Sequence, residues 1–235
     1  MTESNGAKIE DVDLKALKRT AFARFFSILL MLGLVFFLSA GTLKYREAWA
    51  YIGTISMPMM IFGIYMFKHN PKFLERRMKT KEKRKEQRLV QKVSILPFLL
   101  VYLLPGLDKR FSWSSLPFSI ALMGLALVLL GYLLILYVFI TNSYASRVVE
   151  VEEEQKVITT GPYALVRHPM YAGVIFFYGM TPIALGSCWA MIPSLLIIPI
   201  LVFRILDEEK ELAGNLAGYG DYMQKVKYRL LPFVW

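Results

Sequence analysis

Long apolar blocks alternate with polar segments along the whole chain. Residues 20–43, 48–67 and 116–140 form three such blocks, and a shorter one with an internal proline covers residues 93–107. A helix needs about 20 predominantly apolar residues to cross a bilayer. The pattern therefore predicts an all-α polytopic membrane protein.

The last apolar block, residues 171–203, is too long for one crossing. Gly186 and Ser187 interrupt it, and Pro182 and Pro193 flank the interruption. Because glycine and proline commonly mark turns, the block is predicted to form a helical hairpin that turns at residues 185–188. With the hairpin, the predicted total is about six crossings.

The distribution of basic residues predicts the orientation. Lys and Arg dominate segment 68–92, whereas the loops at 43–48 and 108–115 carry only two basic residues each. The positive-inside rule places 68–92 in the cytoplasm, where it would contact anionic headgroups. Six crossings then put both termini, the 141–170 loop and the tail from residue 204 on the cytoplasmic side. Nucleic acid is not expected as a partner, since the basic run lies next to the membrane and has one phenylalanine and no tyrosine or tryptophan among its basic residues.

Composition narrows the possible chemistry. The chain has 235 residues, of which 56% are hydrophobic, and a formal net charge of +10. A single cysteine and two histidines predict neither a disulfide framework nor a metal site. Catalysis would depend on carboxylates, arginine, tyrosine, one histidine or a bound organic cofactor.

A motif from Gly161 to Tyr171 lies where a polar loop meets the last apolar block. Polar groups are costly beside hydrocarbon, so an arginine, a histidine and two tyrosines at this border need a reason. They could anchor the chain at headgroup level. They could also hold a ligand, because a helix N-terminus offers free N–H groups to a carboxylate or phosphate.

Two further groups lie in the polar C-terminal segment. Arg204 and Glu208 share a helix face, either as a simple ion pair or as a pair that orients two ligands. Residues 218–232 predict a short amphipathic helix begun by Asp221, packed on the surface.

Together these motifs resemble the isoprenylcysteine carboxyl methyltransferase family and its relatives, the phospholipid methyltransferases. The similarity covers about residues 116–235, a catalytic region that follows an N-terminal transmembrane region, 1–115. Its elements are residues 157–163, 166–171, Arg204 with the two glutamates at 208–209, and Gly218-Tyr219 with Tyr222. One position departs from the family: the prenylcysteine enzymes often have histidine where this chain has Gln155.

The resemblance implies an integral-membrane methyltransferase with S-adenosylmethionine as cofactor, bound at the cytoplasmic face. Arg204 would hold a prenyl- or lipid-like methyl acceptor. The implied cofactor contacts fall into three groups. A strand-like piece contributes Gln155, Lys156, Val157 and Ile158, the motif contributes Tyr163, His168, Pro169, Met170 and Tyr171, and the segment after the last apolar block contributes Glu208.

Several functions remain open at the level of sequence. A carboxylate acceptor is already nucleophilic and needs no base, whereas a phospholipid amine must lose a proton to Glu208, Tyr171 or His168. A sterol-type reductase would need a basic pocket for NADPH, and no such cluster stands in 141–235. A non-catalytic transport protein would be expected to carry polar residues within its spans.

Overall fold

The computed structural model describes residues 14–78, 85–145 and 155–235, and these residues form helices and connecting turns with no strand. The helices, in chain order, are α1 (Leu14–Ala40), α2 (Arg46–His69), α3 (Pro71–Met78), α4 (Lys85–Phe111), α5 (Phe118–Thr141), a short 3₁₀ helix (Gly161–Ala164), α6 (Pro169–Ala184), α7 (Met191–Asn215) and α8 (Tyr219–Lys225). The predicted all-α class is confirmed.

Helices α1, α2, α4 and α5 are long and apolar enough to cross a membrane. Helices α6 and α7 form the predicted hairpin, and the chain turns between Ala184 and Met191. Helix α6 has 16 residues, which at 1.5 Å per residue span about 24 Å, less than a typical hydrocarbon core. That both arms cross the bilayer, and that the total is six, stay predictions.

Two helices extend beyond the apolar stretches that predicted them. The third span was expected at 93–107, but α4 runs over Lys85–Phe111 and continues through Pro97 and Pro105. The polar tail was expected from Arg204, but α7 extends to Asn215. In both cases charged residues mark the end of the apolar stretch and not the end of the helix, because a helix can project beyond the bilayer.

At one end of the helix bundle, three connections meet. The Tyr45 hydroxyl donates a hydrogen bond to the carbonyl oxygen of Leu185 at 2.6 Å, and the Ser187 hydroxyl donates to the Asp108 carboxylate at 2.5 Å. These contacts join the α1–α2 loop, the end of α4 and the turn of the hairpin.

The basic helix α3 lies beside the opposite end of α5. Arg76 donates from Nη1 to the carbonyl oxygen of Ser143 at 3.1 Å, and the rings of Phe73 and Phe139 are 5.4 Å apart. Helix α3 therefore shares an end of the bundle with the motif that follows α5, as the predicted orientation requires. The compartment that this end faces stays a prediction.

Glycines allow α5 and α6 to approach each other closely. A Cβ atom on Gly124 would lie 2.6 Å from the backbone nitrogen of Ala184, and one on Gly131 would lie 2.9 Å from the carbonyl oxygen of Gly173. Small residues permit this backbone contact in membrane helices, where dispersion replaces the hydrophobic effect as the main attraction. The contact fixes α6, and with it the motif, against α5.

Substitution of Gly124 by alanine is expected to destabilise the bundle by about 1–3 kcal/mol, the range for an overpacked site. The added methyl group meets the backbone of Ala184, which cannot move aside as a flexible side chain would. Gly179→Ala is the matched control, since a Cβ atom there meets nothing within 4 Å. Thermal unfolding in detergent, followed by tryptophan fluorescence, should show a lower midpoint for the first variant alone. Equal midpoints would contradict the close packing of α5 and α6.

Candidate active site

The motif begins with a turn that only glycine makes easily. Gly161 has φ +59°, in the left-handed region, and a Cβ atom there would lie 3.1 Å from the Tyr137 hydroxyl. The 3₁₀ helix that follows carries Tyr163, and α6 starts at Pro169, directly after His168. Proline suits the first position of a helix because its missing N–H would have no partner there.

The C-terminal segment lies across the motif. The amides of Arg167 and His168 donate to the carbonyl oxygens of Tyr228 and Arg229 at 2.9 and 2.8 Å. The Tyr222 hydroxyl donates to the carbonyl oxygen of Tyr163 at 2.7 Å. The segment is therefore part of the site.

Residues 218–232 contain the predicted short amphipathic helix, but its buried tyrosines line a cleft. Helix α8 begins at Tyr219, not at Asp221, and both Tyr219 and Tyr222 are buried. Their position depends on contacts with residues about 60 positions earlier in the chain, which local periodicity does not report.

A buried carboxylate, Glu209, joins three segments of the site. Its Oε1 accepts hydrogen bonds from Arg167 Nε at 2.7 Å and His168 Nε2 at 3.3 Å, and its Oε2 accepts one from Arg229 Nε at 2.8 Å. Burial alone raises the pKa of Glu209, but the hydrogen bonds from His168, Arg229 and Arg167 outweigh it and lower the pKa to about 2. Because Glu209 is ionised at neutral pH, the His168 proton in this contact is on Nε2.

Glu209→Gln is expected to lower stability in a pH-dependent way. The folded-state pKa of about 2 lies below the ordinary value of 4.5, so the ionised carboxylate stabilises the fold above about pH 4.5. That contribution disappears as pH falls through 2. The difference in unfolding midpoint between wild type and Glu209→Gln should therefore be largest near pH 6 and should shrink towards pH 3. Asp221→Asn, at an exposed position of α8, is the control. A difference in unfolding midpoint between wild type and Glu209→Gln that is constant with pH would refute this role for Glu209.

Arg204 and Glu208 are connected through Tyr171. The Tyr171 hydroxyl donates to Glu208 Oε2 at 2.6 Å and accepts a hydrogen bond from Arg204 Nε at 2.8 Å. Tyr171 is buried, while Arg204 and Glu208 are half-buried. A cation, a hydroxyl and a carboxylate thus stand in one row where α6 begins and where the apolar part of α7 ends.

These groups line one cleft of about 860 Å³, a volume that includes open solvent at its mouth. The residues lining the cleft come from the end of α5, the motif, α7 and α8: Asn142, Tyr144, Ala145, Gln155, Lys156, Val157, Ile158, Tyr163, Arg167, His168, Met170, Tyr171, Arg204, Glu208, Leu212, Leu216, Tyr219 and Tyr222.

The structure brings all but one of the predicted site residues to this cleft. Pro169 is the exception: it is buried at the first position of α6 and does not line the cleft. Residues 155–158 line it but are irregular, not strand-like. Leu212 and Leu216 were missed, although they continue the four-residue spacing of Arg204 and Glu208 on α7 and on the residue that ends it.

One buried hydroxyl in the cleft lacks a protein partner. Tyr219 Oη is buried and has no hydrogen-bond partner among the residues that the structure describes. Burial, reinforced by the charges of Glu209 and Glu208, raises the pKa of Tyr219 above its ordinary range, so the hydroxyl stays protonated. A buried donor without a partner is costly, and a bound ligand would satisfy it.

Comparisons with known proteins agree with this architecture. Residues 120–216 match the family model of the phospholipid methyltransferases. A solved eukaryotic intramembrane Ras methyltransferase, isoprenylcysteine carboxyl methyltransferase, has a similar fold, with a TM-score of 0.51 and 18% sequence identity over 95% of this chain and 88% of that one. No curated protein sequence matches the chain significantly.

The helical fold is therefore similar to that of a solved intramembrane methyltransferase. The predicted resemblance to the isoprenylcysteine carboxyl methyltransferases and the related phospholipid methyltransferases is confirmed. The matched region contains the motif, Arg204, Glu208 and Glu209, but ends before α8 and the segment that holds Arg229.

Proposed function

We propose that the protein is an S-adenosylmethionine-dependent methyltransferase that methylates a carboxylate of a lipophilic acceptor. The observation that carries the proposal is the row Arg204–Tyr171–Glu208 in a cleft at the border of the apolar part of the chain. A site at this border is accessible to a water-soluble cofactor from one side and to a lipid-like acceptor from the other.

The residues of the cleft suit such a cofactor. S-adenosylmethionine, when bound, supplies a methyl group activated by a sulfonium. Glu208 offers a carboxylate to its cationic and hydroxyl groups, and Tyr219 offers the buried donor that lacks a protein partner. The tyrosine rings and the apolar side chains of Leu212 and Leu216 would enclose the adenosine portion.

Arg204 is the group that we assign to the acceptor. A guanidinium binds a carboxylate through two parallel N–H···O hydrogen bonds, which fixes both its position and its orientation. Tyr171 holds the Arg204 side chain by its Nε, so the guanidinium is oriented before the acceptor binds. Because a carboxylate is already nucleophilic, alignment and exclusion of water supply the catalysis.

A second function, N-methylation of a phospholipid amine, is favoured by the family that matches residues 120–216. An amine acceptor must lose a proton during or before transfer. The Glu208 carboxylate, which accepts a hydrogen bond from Tyr171, would be the base within reach of the same cleft.

Calorimetry of the purified protein with S-adenosylhomocysteine and with NADPH tests the cofactor. We expect binding of the first compound alone. Binding of NADPH alone would instead indicate a reductase and would refute the methyltransferase proposal.

The class of acceptor can be tested with methyl-tritiated cofactor and membrane lipid extracts. A methyl ester releases volatile tritiated methanol in mild alkali, whereas an N-methyl group is stable. We expect the lipid fraction to carry tritium that mild alkali releases as methanol. Stable label in an amine headgroup would establish the second function in place of the first.

A further inference from the structure

The segment that follows α8 ends in an apolar tip, residues 231–234, with unusually exposed side chains. Phe233 is 88% exposed and Val234 77%, the highest values among the exposed large hydrophobic residues of the described chain. Leu231 is also exposed. A contiguous exposed apolar patch of this kind indicates a surface that another apolar phase covers.

The backbone of the segment holds this tip in place. The carbonyl oxygen of Trp235 accepts hydrogen bonds from the amides of Arg229, Leu230 and Leu231 at 2.8, 3.0 and 3.3 Å. These bonds close residues 229–235 into a compact loop. Within it Phe233 has φ +65°, a conformation that bulky residues rarely adopt, and its ring lies 5.3 Å from the ring of Tyr228 while most of its surface stays exposed.

The depth of the tip follows from the residue next to it. Trp235 packs against a core cluster that contains Leu201 and Ile205 of α7 and Leu230. Leu201 belongs to the last apolar block of the chain, and Ile205 lies directly beyond its end. Phe233 and Val234 therefore lie close to the depth at which α7 leaves the hydrocarbon core of the membrane. Tryptophan is itself enriched at this level of membrane proteins.

Charge complementarity supports the same partner. Lys225 and Lys227, which precede the tip, are exposed, and lysines near a membrane surface are attracted to anionic headgroups. An apolar tip beside exposed lysines is the arrangement by which interfacial segments bind anionic bilayers.

We propose that the tip, residues 231–234, inserts into the anionic leaflet at the same end of the bundle as the cleft. It forms an interfacial membrane contact in addition to the spanning helices. Because the backbone at Tyr228 and Arg229 pairs with the motif at Arg167 and His168, this contact also fixes the segment that is hydrogen-bonded to the motif. The inference is independent of the chemistry that the cleft performs.

Site-directed spin labelling in nanodiscs with anionic lipid tests the proposal. Cys188 is the single cysteine, so a Cys188→Ser background permits one label at Phe233→Cys, or at Val234→Cys if the first variant is unstable. Asp221→Cys, at an exposed position of α8, is the matched control. At 233 or 234 we expect several-fold greater accessibility to oxygen than to a water-soluble nickel complex, with the reverse at 221.

Two outcomes would overturn the proposal. The first is a label at the tip with the same preference for the nickel complex as the label at Asp221→Cys, which would place the tip in water. The second is a label that is shielded from the nickel complex in discs with two chains but accessible to it when each disc holds a single chain. That result would assign the tip to an interface with a second copy. Each labelled variant must retain the wild-type unfolding midpoint.

Discussion

Arg204→Ala is expected to lower methyl transfer by about 10²- to 10³-fold, the cost of losing one oriented group in an active site. Cofactor affinity should change little, because the proposed partner of the arginine is the acceptor carboxylate. The measurement is single-turnover transfer of a tritiated methyl group, together with calorimetry of S-adenosylhomocysteine on the same preparation. Lys210→Ala, which removes an exposed cation from the same helix, should leave both quantities unchanged.

The connection through Tyr171 makes two further variants necessary. Arg204→Lys keeps the positive charge but loses the planar pair of donors, so we expect it to recover only a small part of the activity. Tyr171→Phe removes the hydroxyl that receives the Arg204 Nε–H and donates to Glu208. If Arg204→Ala acted only through that hydroxyl, Tyr171→Phe would reproduce its full effect. That result, or a loss of cofactor binding in Arg204→Ala with the fold intact, would contradict the proposed role.

Much of this site could be predicted because its parts lie at fixed places relative to apolar blocks. The motif at Gly161 to Tyr171 and the pair at Arg204 and Glu208 both adjoin the last block, and a hairpin necessarily returns its second arm to the end where the first began. The sequence therefore indicated that these residues share one end of the bundle. The bridging position of Tyr171 depends on side-chain geometry and could not be predicted from spacing.

The contribution of the C-terminal segment could not be predicted for a different reason. Tyr219, Tyr222 and Arg229 reach the site through contacts that span tens of residues, and local periodicity contains no information on such pairs. Glu209 illustrates the same limit. It stands beside Glu208 on α7, yet Glu208 lines the cleft while Glu209 does not and instead binds three basic side chains, because neighbours on a helix point about 100° apart.

Glu208→Gln is expected to weaken binding of S-adenosylhomocysteine by about 10- to 100-fold. A hydrogen bond to a charged group contributes about 1.5–3 kcal/mol, and each 1.4 kcal/mol is a factor of ten in affinity. The substitution preserves size and the contact with Tyr171 while it removes the charge. Glu211→Gln is the matched control, since Glu211 lies on the same helix, accepts a hydrogen bond from Asn215 and does not line the cleft.

Calorimetry on both variants decides between two roles for this carboxylate. If Glu208 binds the cofactor, its affinity falls in Glu208→Gln and stays at the wild-type value in Glu211→Gln. If Glu208 is instead the base for an amine acceptor, Glu208→Gln retains the affinity and loses transfer alone, with a pH–rate profile that no longer depends on this carboxyl group. Retained affinity would therefore refute the cofactor role of Glu208 and would favour N-methylation, the function that requires a proton to be removed.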